Sequence, residues 1–348
     1  MSPRIAAPAG ILPASWPRAE PLAERLLHLD PSAGALGDHH VRDLPALLRP
    51  GDVLVVNDAG TLPASFRVPD RELELRLVER LTHDAHWRAL LFGAGDWRTP
   101  TERRPLPELV SVGTLLDLGP GLRSRILGVS PLETRVVELE FEQRGAELWA
   151  GIYARGRPIQ YAHVRDALEL WHVQNRFAAR PWALEFPSAA RPLTWELLLA
   201  LRARGVALAH VTHAAGISST GSDAIDRTLP GRERYRIEPA CCLAIESARR
   251  RGGRIVAAGT TVVRALEACA ADNDGRLVPG GGEARLLIGP GFRPKVVAGL
   301  FTGLHQRTTS HYALLGAFAP QDLLDRALDH AAQHAYLEHE FGDSWLIS

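Results

Sequence analysis

Four polar clusters stand where short apolar runs end. Asn57-Asp58 follow the run 52–56, His213 follows 206–211, Thr260-Thr261 follow 255–258, and His305 follows 296–301. Arg232-Glu233-Arg234-Tyr235 and Gly342-Asp343-Ser344 lie in segments between such runs. His213 and His305 are candidate general acids or bases, because imidazole changes charge near neutral pH. Gly259 ends a run and Thr260-Thr261 open a helical pattern, so backbone N–H groups are left pointing out of the break, where an anion or polar ligand can bind. A threonine there can itself cap one donor. Arg264 lies one turn on, over the same face. Glu233, between two arginines, reads as a surface ion pair. Lys295 is the only lysine in the chain, and is either a compact, tunable charge that Arg cannot mimic or a chance survivor of an Arg-rich composition.

These residues need strands to bring them to one edge. Ile255 to Ala258 form a short apolar run, and Val262, Val263, Leu266 and Cys269 then recur at helical spacing, which predicts strand, turn, helix. Strands are also expected at 25–30, 52–56, 206–211, 285–289 and 296–301. Helices are expected at 41–48, at 147–155, after Thr194, after Pro239, and at 312–318 and 320–337. Between residues 63 and 148 the texture changes to short alternating segments such as 73–78, 87–92 and 135–141, separated by glycine-rich turns, an all-β signature. The reading is an α/β protein: residues 1–64 and 151–348 form the main domain, and 65–150 an inserted small β-barrel. Residues before Leu22 read as a loose arm.

Composition narrows the function. The chain has 348 residues, 46% of them hydrophobic, enough for a sizeable core. Its 40 basic and 40 acidic residues cancel, so any nucleic-acid surface must be local; Arg249 to Arg251, Arg254, Arg202 and Arg204 are the candidate patch. Three cysteines without C-x-x-C spacing fit a reducing cytoplasm and give no zinc pattern. The chain lacks a signal-peptide pattern and any apolar run of the ~20 residues a membrane span needs. G-x-S-x-G, the Walker loop and G-x-G-x-x-G after a strand are all absent, which removes the usual hydrolase, nucleotide-triphosphatase and dinucleotide readings.

Taken together, three stretches resemble the S-adenosylmethionine:tRNA ribosyltransferase-isomerase family of queuosine biosynthesis. They are L-P-A-L-L-R-P-G-D-V-L-V-V-N-D-A-G-T-L-P-A at 44–64, G-G-R-I-V-A-A-G-T-T-V-V-R-A-L-E at 252–267 and F-G-D-S-W-L-I at 341–347, with weaker matches at 233–235 and 300–305. The resemblance implies the same α/β fold with an inserted barrel. It also implies a reaction: the ribosyl part of S-adenosylmethionine, a co-substrate, moves to 7-aminomethyl-7-deazaguanine at the tRNA wobble position. Adenine and methionine leave, epoxyqueuosine-tRNA results, and no metal is implied. On this reading His305 or His213 takes the ribose proton, and Asp58 and Asp343 orient ribose or adenine. Thr260, Thr261 and Arg264 hold the methionine carboxylate, with Asn57, Glu233, Tyr235 and Lys295 as further substrate contacts. A cytoplasmic monomer is expected. The departures fall in loops: Gly60 and Ser65 replace basic residues of the family pattern, residues 186–193 lack its histidine, and the stretches after His213 and His305 differ. The sequence therefore leaves open a same-fold enzyme with another acceptor, or a non-catalytic RNA-binding relative.

Overall fold

The computed structural model describes residues 10–217, 219–226 and 231–348. Among these residues the main sheet has nine strands, in the order Gly280–Ala284, Glu233–Ile237, Ala207–His213, Val53–Asn57, Ile255–Ala258, Gly299–Gly303, Ser344–Ile347, Arg25–Asp30, Ala35–His40. Ala207–His213, Val53–Asn57, Ile255–Ala258 and Gly299–Gly303 run parallel. Val53–Asn57 and Ile255–Ala258 are buried along their whole length, as a strand covered on both faces must be. Leu197, Leu198 and Leu201 of helix Trp195–Ala203 pack on one face with Leu54, Val56 and Val256. Helices Pro239–Arg250, Thr260–Asp272 and Gln321–Gln333 contribute Ile245, Val263 and Leu324 to the core on the other face, with Val53, Val55 and Ala257.

Between Thr61 and helix Gly145–Arg155 the chain builds a separate six-stranded antiparallel, barrel-like sheet around Phe66, Leu75, Leu91 and Phe141. Two short parallel strands, Ala59–Thr61 and Arg180–Ala183, join the outgoing chain to the returning one.

Several local expectations are met closely. Thr194 Oγ1 accepts a hydrogen bond from Leu197 N at 3.2 Å and caps its helix, and Pro239 opens the next one. Two differ. The expected strand at 285–289 lies earlier, at Gly280–Ala284, because a Cβ on Gly282 would stand 2.4 Å from the Tyr235 hydroxyl and only glycine fits beside that ring. Leu287, inside the expected strand, is exposed. The arm is docked where it is described. Leu12–Pro13 pairs with Leu337–Glu338, and Arg18 donates to Asp343 at 2.6 Å; residues 1–9 of that arm lie outside the described residues.

Candidate functional site

The four parallel strands end at His213, Asn57, Ala258 and Gly303, which places these ends along one edge of the sheet, the edge at which open α/β sheets bind ligands. The antiparallel registers His213↔Tyr235 and Gly303↔Ser344 bring Glu233 and Asp343 to the same edge.

Asn57 laces the middle of this edge. Its Oδ1 accepts from His213 N at 2.9 Å and Ala59 N at 3.0 Å, and its Nδ2 donates to His213 O at 3.0 Å and Thr261 Oγ1 at 3.3 Å. The helix beside it begins without the expected threonine cap. Gly259 is the N-cap at φ 100°, and no side chain caps the first turn. Glycine is required there, because the backbone is left-handed and a Cβ would stand 3.2 Å from Ala189. The donors at the start of helix Thr260–Asp272 therefore face the edge without a side-chain cap.

A second group of side chains meets at the neighbouring strand ends. Arg264 Nε donates to Glu233 Oε2 at 2.9 Å, and Gly216 N donates to Glu233 Oε1 at 2.9 Å. The other Arg264 nitrogens donate to the carbonyls of Leu286, Gly231 and Ala284. The pair is buried, which corrects the expectation of a surface ion pair. Burial alone would raise the Glu233 carboxyl, but His213, Arg264 and the Gly216 N–H outweigh it and hold it below the ordinary value. His213 is fully buried, its Nε2 3.4 Å from Glu233 Oε2 without a hydrogen bond from either ring nitrogen. Burial, partly opposed by Glu233, pulls His213 down to about 4, so the ring is neutral at pH 7. His311, which the sequence reading did not single out, adjoins this group: burial lowers it, with Glu233 and Arg264 acting on it in opposite directions. Its ring meets His305 edge-on at 5.1 Å. His305 Nε2 lies 2.8 Å from Thr302 Oγ1. Burial, His311 and His339 hold His305 well below the usual imidazole value.

The edge thus gathers Asn57, His213, Glu233, Thr260, Thr261, Arg264 and His305. Other expected residues are placed differently. Asp58 turns to His210 Nδ1 at 2.8 Å and to Thr212, whereas His213 points to the opposite face, because successive strand residues alternate. Asp343 is spent on Arg18, on Arg25 N at 3.1 Å and on Leu337 N at 2.8 Å. Arg264 is likewise fully engaged inside, which corrects its reading as a hand for a free carboxylate. Tyr235 is core, packed among Val211, Ile237 and Cys269, which corrects its reading as a substrate contact. Lys295 precedes strand Gly299–Gly303 and lies at the other end of the sheet, exposed, its backbone N–H on Glu267 Oε2 at 2.8 Å. Of the candidate arginine patch, Arg254 is tied to Asp52 at 2.8 Å before the first residue of its strand, at that same far end.

Two features had no sequence signal. Glu24 is buried against Ser344 Oγ at 2.7 Å and Arg191 at 3.4 Å; burial, with Asp343 adding to it, raises its carboxyl to about 8. A cleft of about 150 Å³ separates the six-stranded sheet from the main one. Arg80 and Trp87 line one wall, Trp149 and Trp182 another, and Glu233 and Arg234 the main-sheet side. Arg234 lies 4.4 Å over the Trp182 ring. No helix among the described residues is long and apolar enough to cross a membrane.

An α/β sheet with a polar strand-end edge and an inserted β module has direct counterparts. The family model described as "Queuosine biosynthesis protein" matches residues 11–347, and the chain belongs to that family. Among its relatives, the protein named S-adenosylmethionine:tRNA ribosyltransferase-isomerase of Acidiphilium cryptum is 33% identical over 338 residues, covering 93% of this chain and 92% of that protein. The protein of the same name from Geobacter sulfurreducens is 33% identical over 332 residues, with 93% of each covered. The crystal structure of S-adenosylmethionine tRNA ribosyltransferase from Thermotoga maritima is similar at a TM-score of 0.53 and 25% identity, covering 98% of this chain and 99% of that one.

Proposed function

We propose that this chain transfers and isomerises the ribosyl moiety of S-adenosylmethionine onto 7-aminomethyl-7-deazaguanine at the wobble position of tRNA, releasing adenine and methionine. The observation that carries this reading is the match of the family over residues 11–347, with similarly named relatives spanning nearly the whole chain.

The site geometry supports a division of labour along the strand-end edge. The sulfonium acidifies the adjoining ribose carbon, and a neutral base must take the proton. His305 suits this better than His213: its surface is partly accessible, Thr302 orients its ring, and it is neutral at pH 7, whereas His213 is sealed inside. The start of helix Thr260–Asp272, held to Asn57 through Thr261, offers donors to the methionine carboxylate. Arg264 then acts indirectly, by holding Glu233 and the loop carbonyls in place. Trp149, Trp182 and Arg234 present ring faces and a guanidinium of the kind that hold an unstacked nucleotide, beside Glu233. Asp58 and Asp343 shape the strand ends they are bonded to. The proposed enzyme uses no metal for this reaction and works in the cytoplasm as a monomer.

The test is one incubation of the purified chain with S-adenosylmethionine and tRNA carrying the aminomethyl base, with adenine release measured. Release that depends on that tRNA supports the proposal. Release with a different acceptor only, or none, overturns it.

A further inference from the structure

We propose that His163, His339 and Glu340 form a binding site for one zinc-class divalent transition-metal ion on the rim of the strand-end edge. One ring nitrogen from each histidine and one carboxylate oxygen lie within 4.8 Å of one another. His163 Nε2 is 2.9 Å from Glu340 Oε2, and His339 Nδ1 is 4.0 Å from the same oxygen. Donors bound to zinc at about 2.0–2.2 Å stand roughly 3.3 Å apart in a tetrahedral shell, so these separations bracket what the ion requires. The two imidazoles stack at 4.2 Å and 24°, presenting their edges side by side to the carboxylate.

The backbone supports the same geometry. His339 has φ 69°, a left-handed conformation that costs a non-glycine residue energy and is held where the surroundings demand it. Its other nitrogen, Nε2, lies 3.6 Å from Glu338 Oε1 and 3.3 Å from Gln306 Nε2. Gln306 in turn donates to Glu338 at 2.6 Å. All three residues are partly exposed, so an ion has access and open positions remain for water.

Two imidazoles and one carboxylate select zinc, cobalt or nickel over magnesium or calcium, which prefer oxygen throughout. His163 belongs to the segment returning from the inserted sheet, and His339 and Glu340 to the loop before strand Ser344–Ile347, so the ion would pin these distant segments together. It would sit beside Gly303 and Asp343, with which His339 and Glu340 border a small hollow. The site is independent of the proposed reaction, and its test reads binding alone.

The test uses the full chain, free of any tag and stripped with chelator. Zn2+ is titrated by calorimetry and Co2+ by visible absorption. The expected result is one ion per chain with a Kd of about 10 μM or tighter, with cobalt bands of a four- or five-coordinate site. His163→Gln and His339→Gln should each weaken binding at least about tenfold. His334→Gln, in the other stacked pair at 4.0 Å from His330, should leave it unchanged. Circular dichroism checks that each variant is folded; should both site variants unfold, Glu340→Gln decides through the cobalt spectrum. Absence of tight binding, or binding that these substitutions do not move, overturns the site.

Discussion

Glu233→Gln isolates the buried charge on which the strand-end cluster depends. The substitution keeps the shape and leaves an oxygen to accept from Gly216 N, now at 2.9 Å, but removes the negative charge facing Arg264. The two side chains are 11% and 6% exposed, so water does little to replace the lost partner. Stranding one member of such a pair costs about 3–5 kcal/mol. Because the single Gln oxygen can serve Gly216 N or the guanidinium but not both, one donor is left unpaired, and a loss of about 3 kcal/mol or more is the expectation, at least roughly a hundredfold in the folding equilibrium. Arg264→Met should cost at least as much, since it also strands the carbonyls of Leu286, Gly231 and Ala284. The double variant should then be about 2–3 kcal/mol more stable than the sum of the two losses predicts, because neither charge is left alone. Urea unfolding of the four proteins, followed by fluorescence and circular dichroism, measures the cycle. A Glu233→Gln loss below about 1 kcal/mol, or a coupling within about 0.5 kcal/mol of zero, would refute the buried-pair reasoning.

Other outcomes follow from the same geometry. His305→Ala should lower kcat by about 10²–10⁴ while His213→Ala acts mainly on stability. The acid limb of the rate profile should lie below pH 6.5, because burial, His311 and His339 keep His305 neutral there; a limb at or above that pH, or a near-normal rate for His305→Ala, would sink the assignment. Glu24, raised by burial to about 8 from 4.5, contributes stability that is fully present below pH 4.5 and is lost as pH rises through 8. Glu24→Gln should therefore gain on the wild type between pH 5 and pH 9, by on the order of 4 kcal/mol, and parallel melting curves across that range would contradict the burial. Gly259→Ala should cost about 1–3 kcal/mol, because it puts a side chain at φ 100° and 3.2 Å from Ala189. An unchanged Tm would show that the turn does not need glycine.

Much of the scaffold was legible in the sequence, because it is written in short-range patterns. The runs ending at Asn57, His213 and Ala258 are strands as read, and the Thr194 cap and the Pro239 helix start follow from local backbone chemistry. The glycine-rich strand Gly280–Ala284 was missed because its fit depends on Tyr235, a residue of another strand. Glu233 illustrates the same limit. Three consecutive charged residues look like a solvated turn, yet register with His213 carries the middle one under Arg264.

By itself the sequence determined the family, the positions of most strands and helices, and the residue types at the strand ends. Tertiary structure alone decided which of those residues face one another. It separated Asp58 from His213 across the sheet, sent Lys295 to the far end, and brought His311 to His305. It also brought His163 beside His339 and Glu340, from opposite halves of the chain. The reason is physical: a residue's backbone preference and burial period are fixed within a few neighbours. Its partners across a sheet depend on strand order, register and face, which contacts between residues far apart in sequence set together.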